Sequence, residues 1–196
     1  DFNTPQTVKD IACNAIQDNH THYAVSQGLD EFRQRAAEKI ERSRGFLPSV
    51  EQILVTPGAN IQIYLALLAV ADPGDEIIIT DPCFVSYISI INLCNLVPVR
   101  VTLREENDFR LSPDDLKKVI TKKTKLIIIN SPNNPTGSVI NKDEIKSIYE
   151  IAEKNDIYIL SDEVYGRMVY AKGEFLSPSS FDHCNKRVIV VHSLSK

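Results

Sequence analysis

Short apolar runs at residues 53–56, 76–80, 97–103, 126–130, 157–160 and 188–191 alternate along this chain with segments of helical character. That alternation narrows the folds open to it more than any other feature does. Pro57, Asp75, Asp81, Asn130 and Asp156 lie at the ends of these runs, and Pro, Asp and Asn are residues that turns use. Asp72-Pro73-Gly74-Asp75 reads as a turn, with an apolar helix over 61–71 before it and a strand after it. A further helix is expected over 84–93. Ser112 is placed to cap a helix that begins at Pro113, since proline suits a first helical turn. Asn141 with Glu144 three residues later forms a capping pattern for a helix running to 154. The run 126–130 is continuously apolar, as a strand covered on both faces must be. Strands and helices in alternation with short connections predict an α/β domain, a three-layer sandwich around a mostly parallel sheet.

The first part of the chain reads differently. A short helix is expected over 5–19 and a loop over 21–25. Gly28 precedes Leu29, Phe32, Ala36 and Ile40, whose spacing gives one helix face ending near Gly45. The division expected is residues 1–45 as an N-terminal segment and 46–196 as the main domain. With 22 basic and 26 acidic residues the net charge is −4, which offers no electrostatic case for nucleic acid or an anionic membrane. The apolar stretches are too short to span a bilayer, and the opening Asp1-Phe2-Asn3-Thr4-Pro5 is no signal peptide. Cys13, Cys83, Cys94 and Cys184 form no C-x-x-C pair and read as free thiols of a reducing cytosol. The histidines have no metal-ligand spacing.

Ligands of open parallel sheets gather at the carboxyl ends of strands. Three motifs are expected there: Asn130-Ser131-Pro132-Asn133-Asn134-Pro135-Thr136-Gly137, Ser161-Asp162-Glu163-Val164-Tyr165-Gly166 and Ser193-Leu194-Ser195-Lys196. The turn Pro57-Gly58-Ala59-Asn60 is expected on the same rim. Lys196 offers an amine that can form an imine with an aldehyde. Asp162 offers a carboxylate for a pyridine nitrogen, and Asn134 and Tyr165 offer hydrogen bonds to a phenolic oxygen. Glu163 reads as structural. Backbone N–H groups at Gly58-Ala59-Asn60 make an anion site at a helix start. Phe84, after Asp81-Pro82-Cys83, is an aromatic that can stack on a flat ring. These are the groups needed to hold pyridoxal 5'-phosphate as an electron sink. Each also has an ordinary reading: a surface lysine, a helix cap, a tight turn, a core phenylalanine, a loop tyrosine at Tyr23.

In order and spacing these motifs resemble the class I/II aminotransferases, fold-type I pyridoxal-phosphate enzymes related to aspartate aminotransferase. The Asp-Phe-Asn-Thr-Pro opening, Tyr23-x-x-x-x-Gly28-x-x-x-x-Arg33 and Pro73-Gly74-Asp75-Glu76 extend the resemblance over nearly the whole chain. It implies that Lys196 binds the cofactor aldehyde and shuttles a proton. It implies that Asp162 binds the ring nitrogen, Asn134 and Tyr165 the phenolic oxygen, and that Phe84 stacks on the ring. Ala59, Asn60 and Ser193 would cup the phosphate, with Gly58 opening the turn that leads to them. Tyr23 would reach the cofactor of a partner subunit, making the protein a homodimer.

The family's phosphate- and carboxylate-binding arginines have no counterpart before Lys196, so the chain is expected to be part of a longer polypeptide lacking most of a small domain, and inactive alone. The activity implied is a cytoplasmic aminotransferase acting on an L-amino acid, aspartate or aromatic favoured, and a 2-oxo acid. The same motifs would also serve a β-eliminating lyase. An aminotransferase-like domain of a transcription regulator is a third reading. A nucleotide-binding module is disfavoured by the lack of a G-x-G-x-x-G run.

Overall fold

The computed structural model describes residues 3–170 and 175–196; Asp1 and Phe2 of the opening motif lie outside the described residues. In chain order the elements are α1 (Gln6–Gln17), α2 (Asp30–Arg44), α3 (Ala59–Val70), β1 (Glu76–Asp81), α4 (Val85–Leu93), β2 (Val97–Thr102), α5 (Pro113–Val119), β3 (Thr124–Asn130), α6 (Lys142–Lys154), β4 (Tyr158–Asp162), α7 (Ser179–Asp182) and β5 (Val188–Val191). The strands form one sheet in the order β2-β1-β3-β4-β5, and every neighbouring pair is parallel.

Side-chain alternation explains the layers. Ile78 pairs with Ile127, Ile127 with Ile159 and Ile159 with Val188, so one apolar row crosses four strands. It packs with Leu116 of α5 and Ile145, Ile148 and Ala152 of α6. Residues one step away, Ile77, Ile79, Leu126, Ile128 and Leu160, point to the opposite face. There they meet Ile63 and Leu67 of α3 and Tyr87 and Ile91 of α4. Burying each such isoleucine contributes about 1.5–3 kcal/mol. The three-layer α/β sandwich expected from the sequence is what the chain forms. Chain order reverses between β1 and β3, and in open parallel sheets a crevice lies beyond the strand ends at that point.

Two expectations are corrected. Residues 53–56 are extended but are not a strand. Their one long-range backbone bond runs from Val55 N–H to the Gln27 carbonyl at 2.9 Å, Leu54 is half exposed, and none of them pairs with a strand of the sheet. The buried face of α2 is also rotated from the one expected. Leu29 and Phe32 are exposed, while Arg33 and Ala37 are buried. Arg33 can turn inward because its guanidinium donates to the Val50 carbonyl at 3.1 Å and pairs with Asp30. The predicted α1 forms, with none of its residues buried.

Candidate active site

The chain turns at the carboxyl ends of β1, β3, β4 and β5 meet around a cleft of about 270 Å³. Asp162 lies at its floor as the last residue of β4, 5% exposed. Its Oδ1 accepts the Val164 N–H at 3.2 Å and its Oδ2 accepts the Tyr87 hydroxyl at 2.6 Å. Burial pushes the Asp162 carboxyl up; the Tyr87 and Val164 hydrogen bonds and the nearby His192 oppose that rise. Tyr87 is held well above the usual phenol range, by burial first and by Asp162 second. A carboxylate desolvated in this way is stabilised by a cation or proton donor placed against its remaining lone pairs.

Asn130 ends β3 and ties two of the motifs together. Its Nδ2 donates to the Asp162 carbonyl at 3.1 Å, and its Oδ1 accepts the Asn134 N–H at 2.7 Å. The turn that follows is braced from within. Asn133 Oδ1 accepts from Thr136 N–H and Oγ1, and the Gly137 N–H bonds the Asn133 carbonyl at 2.8 Å. Asn134 Nδ2 then lies 3.4 Å from Tyr165 Oη, so two polar tips sit side by side on one wall. Lys196 lines the same cleft, its Nζ 5.8 Å from the centre of the Tyr165 ring.

Opposite them, Gly58 caps α3 with φ +92°, a conformation that favours glycine. A Cβ added there would meet nothing within 4 Å, so the space over the helix start is open. Ala59 and Asn60 are the first residues of α3, and their amides are among those an N-terminus leaves unpaired. Phe84 precedes α4 and meets Tyr87 edge to face, ring centres 5.6 Å apart.

Of the residues singled out from sequence, Gly58, Ala59, Asn60, Phe84, Asn134, Asp162, Tyr165 and Lys196 line this one cleft. The Gly58 turn reaches it without a strand before it. Ser193 is not in the lining; its Oγ lies 2.8 Å from that of Ser195, which is. Tyr23 is fully exposed in its loop and does not line the cleft. Tyr87 was missed, and Asn130 and Ser195, which belong to the expected motifs, were given no role of their own. Tyr87 lies one helical turn past Phe84, a spacing that puts both on one face and could have revealed it.

Glu163 points away from the cleft. It is 1% exposed and paired with Arg44, and its Oε1 accepts the hydroxyls of Ser161 at 2.8 Å and Ser177 at 2.6 Å. A second cleft, of about 250 Å³, lies among Arg104, Arg110, Asp115 and Glu144. Its charges already pair with one another, Arg104 with Asp115 and Arg110 with Glu144. Among the described residues no acidic, histidine or cysteine cluster could hold a metal ion, and no helix is long and apolar enough to cross a membrane.

Comparison with known proteins gives the same answer from sequence and fold. The family model for aminotransferase class I and II matches residues 1–196. An aspartate aminotransferase of Pyrococcus abyssi is 41% identical over all of this chain and 51% of its own length. Aromatic-amino-acid aminotransferase 2 of Thermococcus litoralis is 40% identical over the same shares. The crystal structure of an aromatic aminotransferase from Pyrococcus horikoshii superposes with a TM-score of 0.96 at 39% identity, covering all of this chain and 53% of that one. The chain thus spans about half the length of the curated relatives it matches.

Proposed function

The chain belongs to the class I and II aminotransferase family, and from that premise we propose that its protein is a pyridoxal-phosphate-dependent aminotransferase moving an amino group between an L-amino acid and a 2-oxo acid. Aspartate or an aromatic amino acid is the favoured donor, by analogy with the relatives of those names. One observation carries the reading: an amine, a buried carboxylate, an amide and a phenol side by side, an aromatic face and an open helix start share a single cleft.

The residues present fit the cofactor. When bound, pyridoxal phosphate supplies an aldehyde for amine exchange and a ring that accepts the electron pair left on the substrate's α-carbon. Lys196 supplies the amine that holds the aldehyde and that moves a proton at the α-carbon. Asp162 keeps a proton on the ring nitrogen; its desolvation makes that cationic partner favourable. Asn134 and Tyr165, with polar tips 3.4 Å apart, both reach one phenolic oxygen. Phe84 covers a ring face. The amides of Ala59 and Asn60 would bind the phosphate, with Ser195 lining the same cleft and Ser193 behind it at 2.8 Å, while the Gly58 amide already donates to the Thr56 carbonyl at 2.8 Å.

We further propose that the protein is a homodimer in which Tyr23 reaches the partner's site; its full exposure supports this, as do the exposed Val25, Leu29 and Phe32 near it. In this reading residues 1–45 belong to a small domain and the dimer interface, and 46–196 to the cofactor domain. The four free cysteines accord with a cytoplasmic location.

The test uses the full-length protein. Incubation with pyridoxal phosphate followed by borohydride should fix the cofactor to Lys196, read by peptide mass spectrometry, and Lys196→Ala should abolish the label. A label on another side chain, or none, overturns the proposal. On the unreduced holoprotein a panel of amino acids should yield 2-oxo acids with the amino group retained on the cofactor. Release of ammonia and pyruvate would instead assign β-elimination.

A further inference from the structure

Asp162 owes its setting to a residue outside the motifs. Its carboxylate has four lone-pair positions. One is taken by the Val164 amide and one by the Tyr87 hydroxyl, at 2.6 Å. Tyr87 is 1% exposed and packs in the core layer that holds Ile63, Leu67 and Ile91, with Phe84 at its edge. A side chain so enclosed has no freedom to follow the carboxylate; the carboxylate must align to it. The bond also joins α4 to β4, elements on either side of the point where strand order reverses.

We propose that Tyr87 is a positioning residue for Asp162, its hydroxyl fixing the plane of the carboxylate and favouring the ionised form that faces the cleft. This rests on the cofactor reading of the cleft only for its consequence, that the carboxylate is kept ready for a ring nitrogen. A phenol donating to a carboxylate at this distance is a charge-assisted bond, about twice as strong as a neutral one. The bland alternative is a core tyrosine that merely found an acceptor, and the two differ in what happens to Asp162 when the hydroxyl is removed. The titratable groups that face Asp162 are Tyr87 on α4 and His192 beyond β5; those that face Tyr87 are Asp162, Cys83 and Tyr165. Lys196 shares the cleft.

The experiment is a carbon NMR titration of aspartate carboxyls in the full-length protein freed of cofactor, comparing wild type with Tyr87→Phe. The Asp162 resonance is assigned by its loss in Asp162→Asn. The Phe variant keeps the ring and its packing and deletes one oxygen. The Asp162 midpoint should rise by about 1–2 pH units, tenfold to a hundredfold in its ionisation equilibrium. An unmoved midpoint overturns the proposal. Where the Phe variant does not fold, ultraviolet titration of Asp162→Asn decides: one tyrosine should ionise at lower pH than in wild type, and an unchanged profile overturns it. Borohydride trapping after pyridoxal phosphate is added back to the same preparations separates the two readings. A moved midpoint with no cofactor trapped at Lys196 sinks the cofactor reading alone, and a trapped cofactor with an unmoved midpoint sinks this one alone.

Discussion

Gly28 shows how much one missing atom can hold in place. Its φ is +100°, and a Cβ built on it would lie 2.5 Å from the Cβ of Val55. That contact cannot be relieved by turning a side chain, because Val55 Cβ moves only with its backbone. The backbone is itself tied to Gln27 at 2.9 Å and leads within three residues to the Gly58 turn. Gly28→Ala therefore meets both a strained dihedral and a clash. We expect it to cost about 1–3 kcal/mol in urea unfolding and to weaken cofactor capture by displacing residues 53–56. Unchanged stability would mean that this segment shifts freely. The contact with Val55 is not legible in the sequence, where Gly28 reads as a helix boundary and as one position of the Tyr23-to-Arg33 pattern. Asp162 and Lys196 were legible for the opposite reason: the carboxyl ends of parallel strands form the rim where ligands gather, although Glu163, one residue past Asp162, turns inward to Arg44. Tyr87 was hidden because an aromatic inside an apolar helix looks like core, which it also is.

At the level of elements, the strands that were read correctly are those whose apolar runs pair with at least one neighbour in the sheet. Residues 53–56 carry the same composition without a partner, and periodicity cannot tell a run that pairs from one that crosses open surface. The face of α2 was misread because the pattern assigned burial by hydrophobicity, while Arg33 goes inward with both terminal nitrogens paired and its Nε left without a partner. Helix starts were legible where a side chain does the capping. Asn141 Oδ1 accepts the Glu144 N–H at 2.9 Å and Glu144 Oε2 accepts the Asn141 N–H at 3.0 Å. Asn141→Ala removes one half of that exchange and should lower stability by about 1 kcal/mol. Asn141→Ser should be close to neutral. The check is a lower urea midpoint with an unchanged slope for the alanine variant only; a changed slope would mean that α6 frays well beyond its first turn.

Across the whole molecule, the segment before residue 46 is held to the sheet by few contacts, and the Arg44–Glu163 pair is the most deeply buried of them. Arg44 ends α2 and Glu163 follows β4, with side chains 11% and 1% exposed. Arg44 also donates to Ser179 at 3.2 Å, so the pair joins α2, β4 and α7. Burial pushes the Glu163 carboxyl up, and Arg44 opposes that rise most, ahead of the Ser177 and Ser161 hydroxyls. Arg44→Met leaves a charge buried without its partner and should cost about 3–5 kcal/mol at neutral pH. By contrast Arg35, 79% exposed beside Glu38, should change stability by less than about 1 kcal/mol when replaced by alanine. The pH dependence gives the sharper check. An acid whose folded pKa is raised contributes most to stability below its unfolded value, here 4.5, and loses that contribution as pH rises through the folded pKa. Removing Arg44 raises the folded pKa of Glu163 further. The stability gap between Arg44→Met and wild type should therefore be smallest near the bottom of that range, where Glu163 is protonated and needs no partner, and should widen toward neutral pH. Urea unfolding of both proteins across that range measures it. A gap that stays constant would mean that Arg44 matters through its packing, and that the N-terminal segment is held to the sheet by shape and not by charge.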